Sequence, residues 1–170
     1  MNSHTRLKRS MAGLVRWRPS RWLLRLAVRL FAPQHRVGVS VIVINTDQQI
    51  LLLKHVYHPT LPWGPPGGWL DKGEDPRTGA ARELREETGI TAEIGPLLLL
   101  EHQTPPDHIG IAYLAQLPSP SPTAPFQLSH EIITAEWFTA ASLPPISSFT
   151  RRAIALALLK KGQSTKDEGR

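Results

Sequence analysis

Residues 68–90, GWLDKGEDPRTGAARELREETGI, carry the strongest structural signal in this chain of 170 residues. Asp75 is a favourable N-cap residue, Pro76 suits the first helical position, and Gly89 suits a left-handed C-cap. Together these signals predict a helix over about residues 76–87. The helix would follow a glycine-rich loop, so a loop–helix unit is the centre from which the fold is read.

Three glutamates of this predicted helix, Glu83, Glu86 and Glu87, occupy positions i, i+3 and i+4 and therefore share one helix face. Like charges at this spacing destabilise an isolated helix by roughly 0.2–0.5 kcal/mol per pair, and Arg82 and Arg85 offset only part of that. A divalent cation would relieve the repulsion. Oxygen ligands without His or Cys indicate Mg²⁺ or Mn²⁺ rather than zinc.

The loop before the helix, residues 59–68 (PTLPWGPPGG), is so rich in Pro and Gly that it is predicted to hold no regular element. Gly67 and Gly68 allow the backbone to pass close to a ligand. Trp63 and Trp69 flank them and either pack internally or stack on a nucleobase. A metal site beside such a loop suits a diphosphate, because the cation neutralises phosphate oxygens and lowers the pKa of the attacking water.

Residues 68–90 also resemble the Nudix box, Gly-x5-Glu-x7-Arg-Glu-apolar-x-Glu-Glu-x-Gly-apolar, with every fixed position filled. The flanking strand pattern extends the likeness over about residues 36–160. The resemblance to this MutT-like family implies an α/β (α+β) fold in which a mixed β-sheet is sandwiched between α-helices. It also implies a hydrolase that cleaves a phosphoanhydride bond with Mg²⁺ or Mn²⁺.

The same resemblance implies roles for the matching residues. Glu83 and Glu87 would be the principal metal ligands, and the Gly67 carbonyl a further one. Glu86 would join them as a ligand or act behind them. Arg82 would orient the carboxylates.

The general base varies within the family, and two alternatives are open here. Glu83 is one candidate, and an acid outside the box is the other, for which Glu131 and Glu136 in the stretch HEIITAEWF are the positions to inspect. Glu74 would brace the loop. A base must lie within hydrogen-bond reach of the attacking water, which the sequence does not reveal.

Substrate signals lie outside the box. Pro105 and Pro106 fall 15 and 16 residues after Ile90, where family members that cleave ADP-ribose tend to carry a proline. We therefore expect a small-molecule nucleoside diphosphate derivative such as ADP-ribose or another nucleotide sugar. The alternatives are a (d)NTP pyrophosphohydrolase and a Nudix-like module that binds a nucleotide without cleaving it. Such modules can lose one of the three glutamates, all of which are present.

The net charge of +6 is unevenly distributed, because residues 1–46 hold nine Lys or Arg and no acid whereas residues 47–170 hold 11 basic and 14 acidic residues. A nucleic-acid-binding domain spreads basic residues over one face, so nucleic acid is not the expected partner. The chain has no cysteine, which excludes disulfides and Cys-based sites. We expect a cytoplasmic protein, peripheral at a membrane if its basic arm binds lipid.

Residues 14–31, LVRWRPSRWLLRLAVRLF, predict a basic amphipathic helix, because Arg21, Arg25 and Arg29 recur every fourth residue among apolar residues and Pro33 follows. It is too short and too charged to span a bilayer. Three interpretations are open. The helix packs on its own domain or on a second subunit in a homodimer, it lies on an anionic membrane surface, or it belongs to an organelle transit peptide.

The pattern divides the chain into a basic extension (1–35), a hydrolase domain (36–161) and a flexible tail (162–170). Within the domain, residues 37–45 and 50–54 are predicted to form a hairpin. Further expected elements are strands over 92–102, 108–117 and 132–138, a proline-rich loop over 118–125 and a closing helix over 149–160. The seven histidines show no metal-ligand spacing.

Overall fold

The structure is a computed structural model that describes residues 18–32, 35–57, 60–117 and 125–167. The chain divides into two compact units, residues 1–34 and 35–170. The polar start of the chain (1–10), the first part of the predicted N-terminal helix (14–17) and most of the proline-rich loop (118–124) lie outside the described residues.

The first unit contains helix α1, Arg18–Phe31, which is 14 residues long. The helix predicted from the arginine periodicity is confirmed over this part. It stops before Pro33, whose ring disfavours the helical conformation in the residue that precedes it. Within the described ranges, no helix combines the length and the apolar character needed to cross a bilayer.

The described residues of the second unit form two β-sheets and two helices. Strands β1, β4, β5 and β6 form a four-stranded sheet in the order β4-β1-β6-β5, in which β1 and β6 are parallel and the other pairs antiparallel. Strands β2, β3 and β7 form a three-stranded antiparallel sheet in the order β3-β2-β7. The elements are β1 Arg36–Val43, β2 Ile50–His55, β3 Trp63–Gly64, β4 Gly67–Trp69, α2 Pro76–Thr88, β5 Glu93–Gln103, β6 His108–Gln116, β7 Ile132–Phe138 and α3 Ser148–Asp167.

The core has two parts, one on each face of the strands. Val41 of β1 packs in a cluster with Leu84 of α2, whereas its neighbour Ile42 packs in a cluster with Ile154 of α3. Successive side chains of a strand point to opposite faces, which is why a continuous apolar run feeds both clusters. Each fully buried Leu or Ile contributes about 1.5–3 kcal/mol. The expected sandwich of strands between helices is confirmed.

Helix α2 begins and ends at the predicted caps. The Asp75 side chain accepts hydrogen bonds from the backbone N–H groups of Arg77 (3.0 Å) and Thr78 (3.3 Å). Gly89 adopts φ 75°, and its N–H donates to the Arg85 carbonyl at 2.9 Å. A cap of this kind contributes about 1 kcal/mol, so local sequence fixes both ends of the helix that carries the three glutamates.

Three details differ from the sequence-based predictions. The predicted hairpin is wrong: β1 and β2 belong to different sheets and pair, within the described residues, through a single bridge between Ile44 and Ile50. Residues 59–68 were expected to lack regular structure, yet β3 and most of β4 lie there, because β1 and β2 offer free edges for pairing. The closing helix continues past Lys160 to Asp167.

Candidate active site

The second half of α2 faces the short strand β4 and carries the three glutamates. The side chains of Glu83 and Glu87 are largely buried, with 14% and 9% of their surface exposed, whereas Glu86 is 52% exposed. Two carboxylates are therefore withdrawn from water and the third stands at the rim. This arrangement follows directly from the i, i+3, i+4 spacing.

Arg82 forms hydrogen bonds to three carboxylates, those of Glu74, Glu83 and Glu86. Its Nε and Nη2 donate to the two oxygens of Glu74, both at 2.9 Å, and its Nη1 donates to Glu83 Oε1 at 2.9 Å and to Glu86 Oε2 at 3.2 Å. The Arg82 hydrogen bonds, aided by the Asp71 backbone N–H, lower the pKa of Glu74 to about 2. In turn, the hydrogen bonds to Glu74 and Glu83 raise the pKa of Arg82 above its ordinary value. Glu74 thus anchors Arg82, and Arg82 orients Glu83 and Glu86.

Glu87 is the most deeply placed of the three acids. The Gly67 N–H donates to its Oε2 at 2.7 Å, and His55 Nδ1 lies 3.9 Å from its Oε1. Burial, together with the charges of Glu83 and Glu131, raises the pKa of Glu87 to about 8 despite the Gly67 bond. The ionised carboxylate is therefore unfavourable here unless a cation stands beside it.

The loop approaches the helix so closely that only glycine fits. A Cβ added at Gly68 would lie 2.5–2.8 Å from the three carboxyl atoms of Glu83, and one added at Gly67 would lie 2.2 Å from the Val39 carbonyl oxygen. A side chain at either position would displace a carboxylate or a strand. Gly68, which begins the box, and Gly67, which precedes it, are thus required by packing at the site itself.

The donors at this site suit a hard divalent cation. They are carboxylate oxygens from Glu83, Glu86 and Glu87, next to the backbone of β4, and burial raises the pKa of Glu83 as it does that of Glu87. A bound cation would offset both the desolvation and the mutual repulsion of these acids. The residues present therefore fit Mg²⁺ or Mn²⁺.

A cavity of about 450 Å³ opens beside the glutamates. Gly67 and Gly68 form part of its wall at the carboxylate end, and Trp63, Trp69 and Phe149 contribute aromatic surface. No Lys or Arg is among the described residues that line it. The cavity can take an uncharged ring system, while negative charge on a ligand would be placed toward the glutamates and their cation.

Glu131 and Glu136, the two acids outside the box that were candidates for the general base, differ in their position relative to the three carboxylates. Glu131 lies just before β7, where its carbonyl accepts a hydrogen bond from the Val56 N–H at 2.9 Å, and its charge raises the pKa of Glu87. Its side chain is 53% exposed. The structure therefore keeps Glu131 in the electrostatic neighbourhood of the site.

Glu136 requires a correction. It lies between Ala135 and Trp137, which pack on the cluster beneath α2, whereas Phe138 packs on the α3 side. Because side chains alternate along a strand, Glu136 points with Phe138, away from α2. The structure therefore does not bring Glu136 to the three carboxylates.

One neighbour of the site had no signal in the sequence. His55 is the last residue of β2, and its Nδ1 lies 3.9 Å from Glu87 Oε1. Its side chain is only 15% exposed and lines the cavity. It is brought there by the pairing of β2 with β3, a tertiary event. Of the two tryptophans, Trp63 packs edge-on against Phe138 and Trp69 against His108, and both keep surface on the cavity.

Strands of two sheets held between helices, with a carboxylate cluster beside the Gly67–Gly68 backbone, match the architecture that the Nudix resemblance implied. A family model for the NUDIX domain matches residues 34–157, so the chain belongs to the Nudix family. Proteins named as Nudix hydrolases are among its sequence relatives and structural neighbours.

Sequence relatives match the chain locally. The MutT-like protein of Streptomyces ambofaciens is 42% identical over 65 residues, which are 38% of this chain and 41% of that protein. The RNA pyrophosphohydrolase of Caulobacter vibrioides is 43% identical over 61 residues, which are 35% of this chain and 36% of that protein. The chain thus covers less than half the length of either relative.

Solved structures match over about three quarters of this chain. The MutT Nudix hydrolase of Burkholderia pseudomallei superposes with a TM-score of 0.61 at 28% identity, over 73% of this chain and 98% of that one. An Ap4A hydrolase of C. elegans (TM-score 0.63, 23% identity, 75% and 98%) and an ADP-ribose pyrophosphatase of Streptococcus suis (0.60, 22%, 75% and 92%) share the fold.

Proposed function

We propose that this protein hydrolyses a phosphoanhydride bond in a nucleoside diphosphate linked to another moiety, such as ADP-ribose or a nucleotide sugar, with Mg²⁺ or Mn²⁺. One observation carries the proposal. Two largely buried glutamates, Glu83 and Glu87, and Glu86 at the rim adjoin a cavity that has aromatic walls and, among its described residues, no Lys or Arg.

Glu83 and Glu87 would hold the cation, with Glu86 and the Gly67 carbonyl as further ligands. When bound, the cation neutralises phosphate oxygens and lowers the pKa of a water. The chain's own contribution is orientation: Arg82 holds the Glu83 carboxylate by a bond of 2.9 Å and is itself fixed by both oxygens of Glu74. The Gly67 N–H fixes one oxygen of Glu87 and leaves the other free to bind.

Glu83 and Glu131 are the two candidates to take the proton of the attacking water. Glu83 lies inside the carboxylate cluster, and only 14% of its side chain is exposed. Glu131 is more exposed and belongs to the loop that enters β7. Glu131→Gln and Glu83→Gln should therefore have different effects on the pH profile of kcat. In the wild type kcat should rise with pH as the base loses its proton. The variant that lacks the base should lose this rise, and the other variant should retain it.

The walls of the cavity support a nucleotide as the substrate. Trp63 and Trp69 expose ring surface on which a base can stack, and stacking of a base on an aromatic side chain is worth about 1–3 kcal/mol. The phosphates would then lie toward Gly67 and Gly68. With no Lys or Arg among the described lining residues, a diphosphate joined to a neutral group suits the cavity better than a triphosphate does.

Two alternatives follow from the same site. A (d)NTP pyrophosphohydrolase would use the same carboxylates, and a non-catalytic nucleotide-binding module would use only the cavity. A panel of ADP-ribose, nucleotide sugars, dinucleoside polyphosphates and (d)NTPs, assayed with Mg²⁺ by chromatography of the products, distinguishes them. ADP-ribose or a nucleotide sugar should have the highest kcat/KM. A preference for (d)NTPs favours the first alternative, and binding without turnover favours the second.

Variants of the glutamates test the site itself. Glu83→Gln and Glu87→Gln should each lower kcat on the best substrate by about 100-fold or more, since positioned acid–base groups and supported metal ligands contribute at least this much. Glu93→Gln is the matched control, because Glu93 is an exposed glutamate at the start of β5. If a folded Glu83 or Glu87 variant keeps the wild-type kcat, the carboxylate cluster is not the catalytic centre.

We further propose that residues 14–31 contact an anionic membrane surface. Residues 1–46 hold nine basic residues and no acid, and arginines of the helix recur on one side between apolar residues, so charge and periodicity both suit a lipid interface. Vesicles containing phosphatidylserine, compared with neutral phosphatidylcholine vesicles, should retain the full chain selectively. Association into a dimer without lipid binding would instead favour a protein partner for the helix.

A further inference from the structure

Two histidines and one aspartate meet at the end of the four-stranded sheet, away from the glutamates of α2. His35 stands immediately before β1, His102 is the penultimate residue of β5, and Asp107 immediately precedes β6. One ligating atom from each lies within 4.8 Å of the other two. Within the described ranges, no other group of three or more His, Cys, Asp or Glu side chains converges in this way.

We propose that His35, His102 and Asp107 form a binding site for a transition-metal ion of the Zn²⁺ type, separate from the catalytic cation. Each imidazole faces a different oxygen of the Asp107 carboxylate. His35 Nδ1 lies 3.7 Å from Asp107 Oδ2, and His102 Nε2 contacts Asp107 Oδ1. The carboxylate therefore lies between two nitrogen donors.

The donor chemistry selects the metal. Two imidazole nitrogens with one carboxylate form a donor set that suits Zn²⁺, and imidazole suits Zn²⁺, Cu²⁺ and Ni²⁺ better than the hard ions Mg²⁺ and Ca²⁺. Ligands about 2.0–2.2 Å from a common ion are at most roughly 4.4 Å apart. The observed limit of 4.8 Å is close to this, and all three side chains are exposed, so a small adjustment of side-chain torsions closes the site. Water would complete the coordination.

The backbone positions make the cluster well defined. Residues Arg36 and His108 are register partners in the parallel pair β1–β6, and Gln103 pairs with His108 in β5–β6. The three ligands are thus the residues next to paired positions at one end of three adjacent strands. Such positions are held by the ladder hydrogen bonds of the sheet, and a site built on strand ends keeps its geometry better than one on a free loop.

A metal at this point would act on the rim of the cavity. The turn that leads from His102 to Asp107 contributes Pro105 to the cavity wall, and His108 follows Asp107 and also lines the cavity. Binding would join the beginning of β1 to this turn. The proposal does not depend on the identity of the substrate or on catalysis.

The test is calorimetric titration of ZnCl₂ into the full-length, tag-free protein in the presence of a large excess of MgCl₂, which occupies the hard-ligand site. The wild type should bind Zn²⁺ through this site. His102→Asn and Asp107→Asn should each weaken that binding at least about tenfold, since even the loss of a residue that supports a ligand has such an effect. His130→Asn is the matched control: its ring forms an exposed pair with Glu131 at 3.7 Å without a second described imidazole.

The outcomes separate cleanly. Circular dichroism confirms the fold of each variant, and His35→Asn provides a third ligand variant should one of the others fail to fold. Weakened binding in the ligand variants with unchanged binding in His130→Asn supports the site. A wild type that binds no Zn²⁺, or Zn²⁺ binding lost in Glu87→Gln but retained in His102→Asn and Asp107→Asn, overturns it.

Discussion

The buried carboxyl of Glu87 should make the metal-free protein less stable as the pH rises. Its pKa is raised from 4.5 to about 8 in the fold, chiefly by burial. Between these values the folded state keeps a proton that the unfolded state has released, so stability falls with pH by up to about 1.4 kcal/mol per pH unit. The contribution is fully present below 4.5 and is lost as the pH passes through about 8.

The magnitude and the sign can be read from melting curves in EDTA. Across the whole interval the loss amounts to at most about 5 kcal/mol, which for a domain of this size corresponds to a fall in Tm on the order of 10 °C. Glu74, whose pKa is lowered to about 2, changes stability only below its unfolded value and so stays out of the window from about pH 5 to pH 8. Glu83 acts in the same direction as Glu87.

Glu87→Gln isolates the effect. Its amide oxygen can still accept from the Gly67 N–H, but no charge has to be buried, so in EDTA at about pH 8 the variant should melt above the wild type even though it loses activity. The difference between the two curves reports the contribution of Glu87 together with its contact to His55. Glu93→Gln should follow the wild type. Parallel curves for wild type and Glu87→Gln would refute the reasoning.

The remaining predictions concern the cation, the loop and the N-terminal unit. EDTA should abolish turnover of the best substrate and Mg²⁺ or Mn²⁺ restore it; full turnover in chelator would contradict the metal assignment. Gly68→Ala should lower kcat about tenfold or more, because its Cβ would lie within 2.8 Å of the Glu83 carboxyl, whereas Gly162→Ala, whose added Cβ would meet no atom within 4 Å, should leave kcat unchanged. Equal kcat in both variants would mean that Glu83 tolerates displacement. Deletion of residues 1–33 should preserve kcat while reducing sedimentation with anionic vesicles; a folded truncation that binds the vesicles as before and loses kcat would place the helix at the active site.

The sequence determined the parts of this protein that depend on neighbours along the chain. Asp75 and Gly89 cap α2 as predicted, because capping involves residues within one turn of the helix end. The shared face of Glu83, Glu86 and Glu87 follows from helical spacing alone. The resemblance of the same residues to the Nudix box predicted the family, and the match of the NUDIX family model to residues 34–157 confirms it.

Pairing between distant segments was decided by the tertiary structure. The apolar runs of β1 and β2 are compatible with a hairpin. In the structure the two strands belong to different sheets, and each contributes side chains to the cluster with α2 on one face and to the cluster with α3 on the other. The same partition turns Glu136 away from the carboxylates. It also brings His55 to Glu87, a contact between residues 32 positions apart along the chain.

The meeting of His35, His102 and Asp107 has the same origin. These residues have no recognisable spacing in the sequence, since 67 positions separate the two histidines. They converge because β1 pairs with β6 in parallel and β5 pairs with β6 in antiparallel orientation. The first residues of β1 and β6 and the last residues of β5 therefore lie at the same end of the sheet. Local sequence therefore determined the catalytic helix, and long-range register, which depends on the packing of both sheet faces, determined what surrounds it.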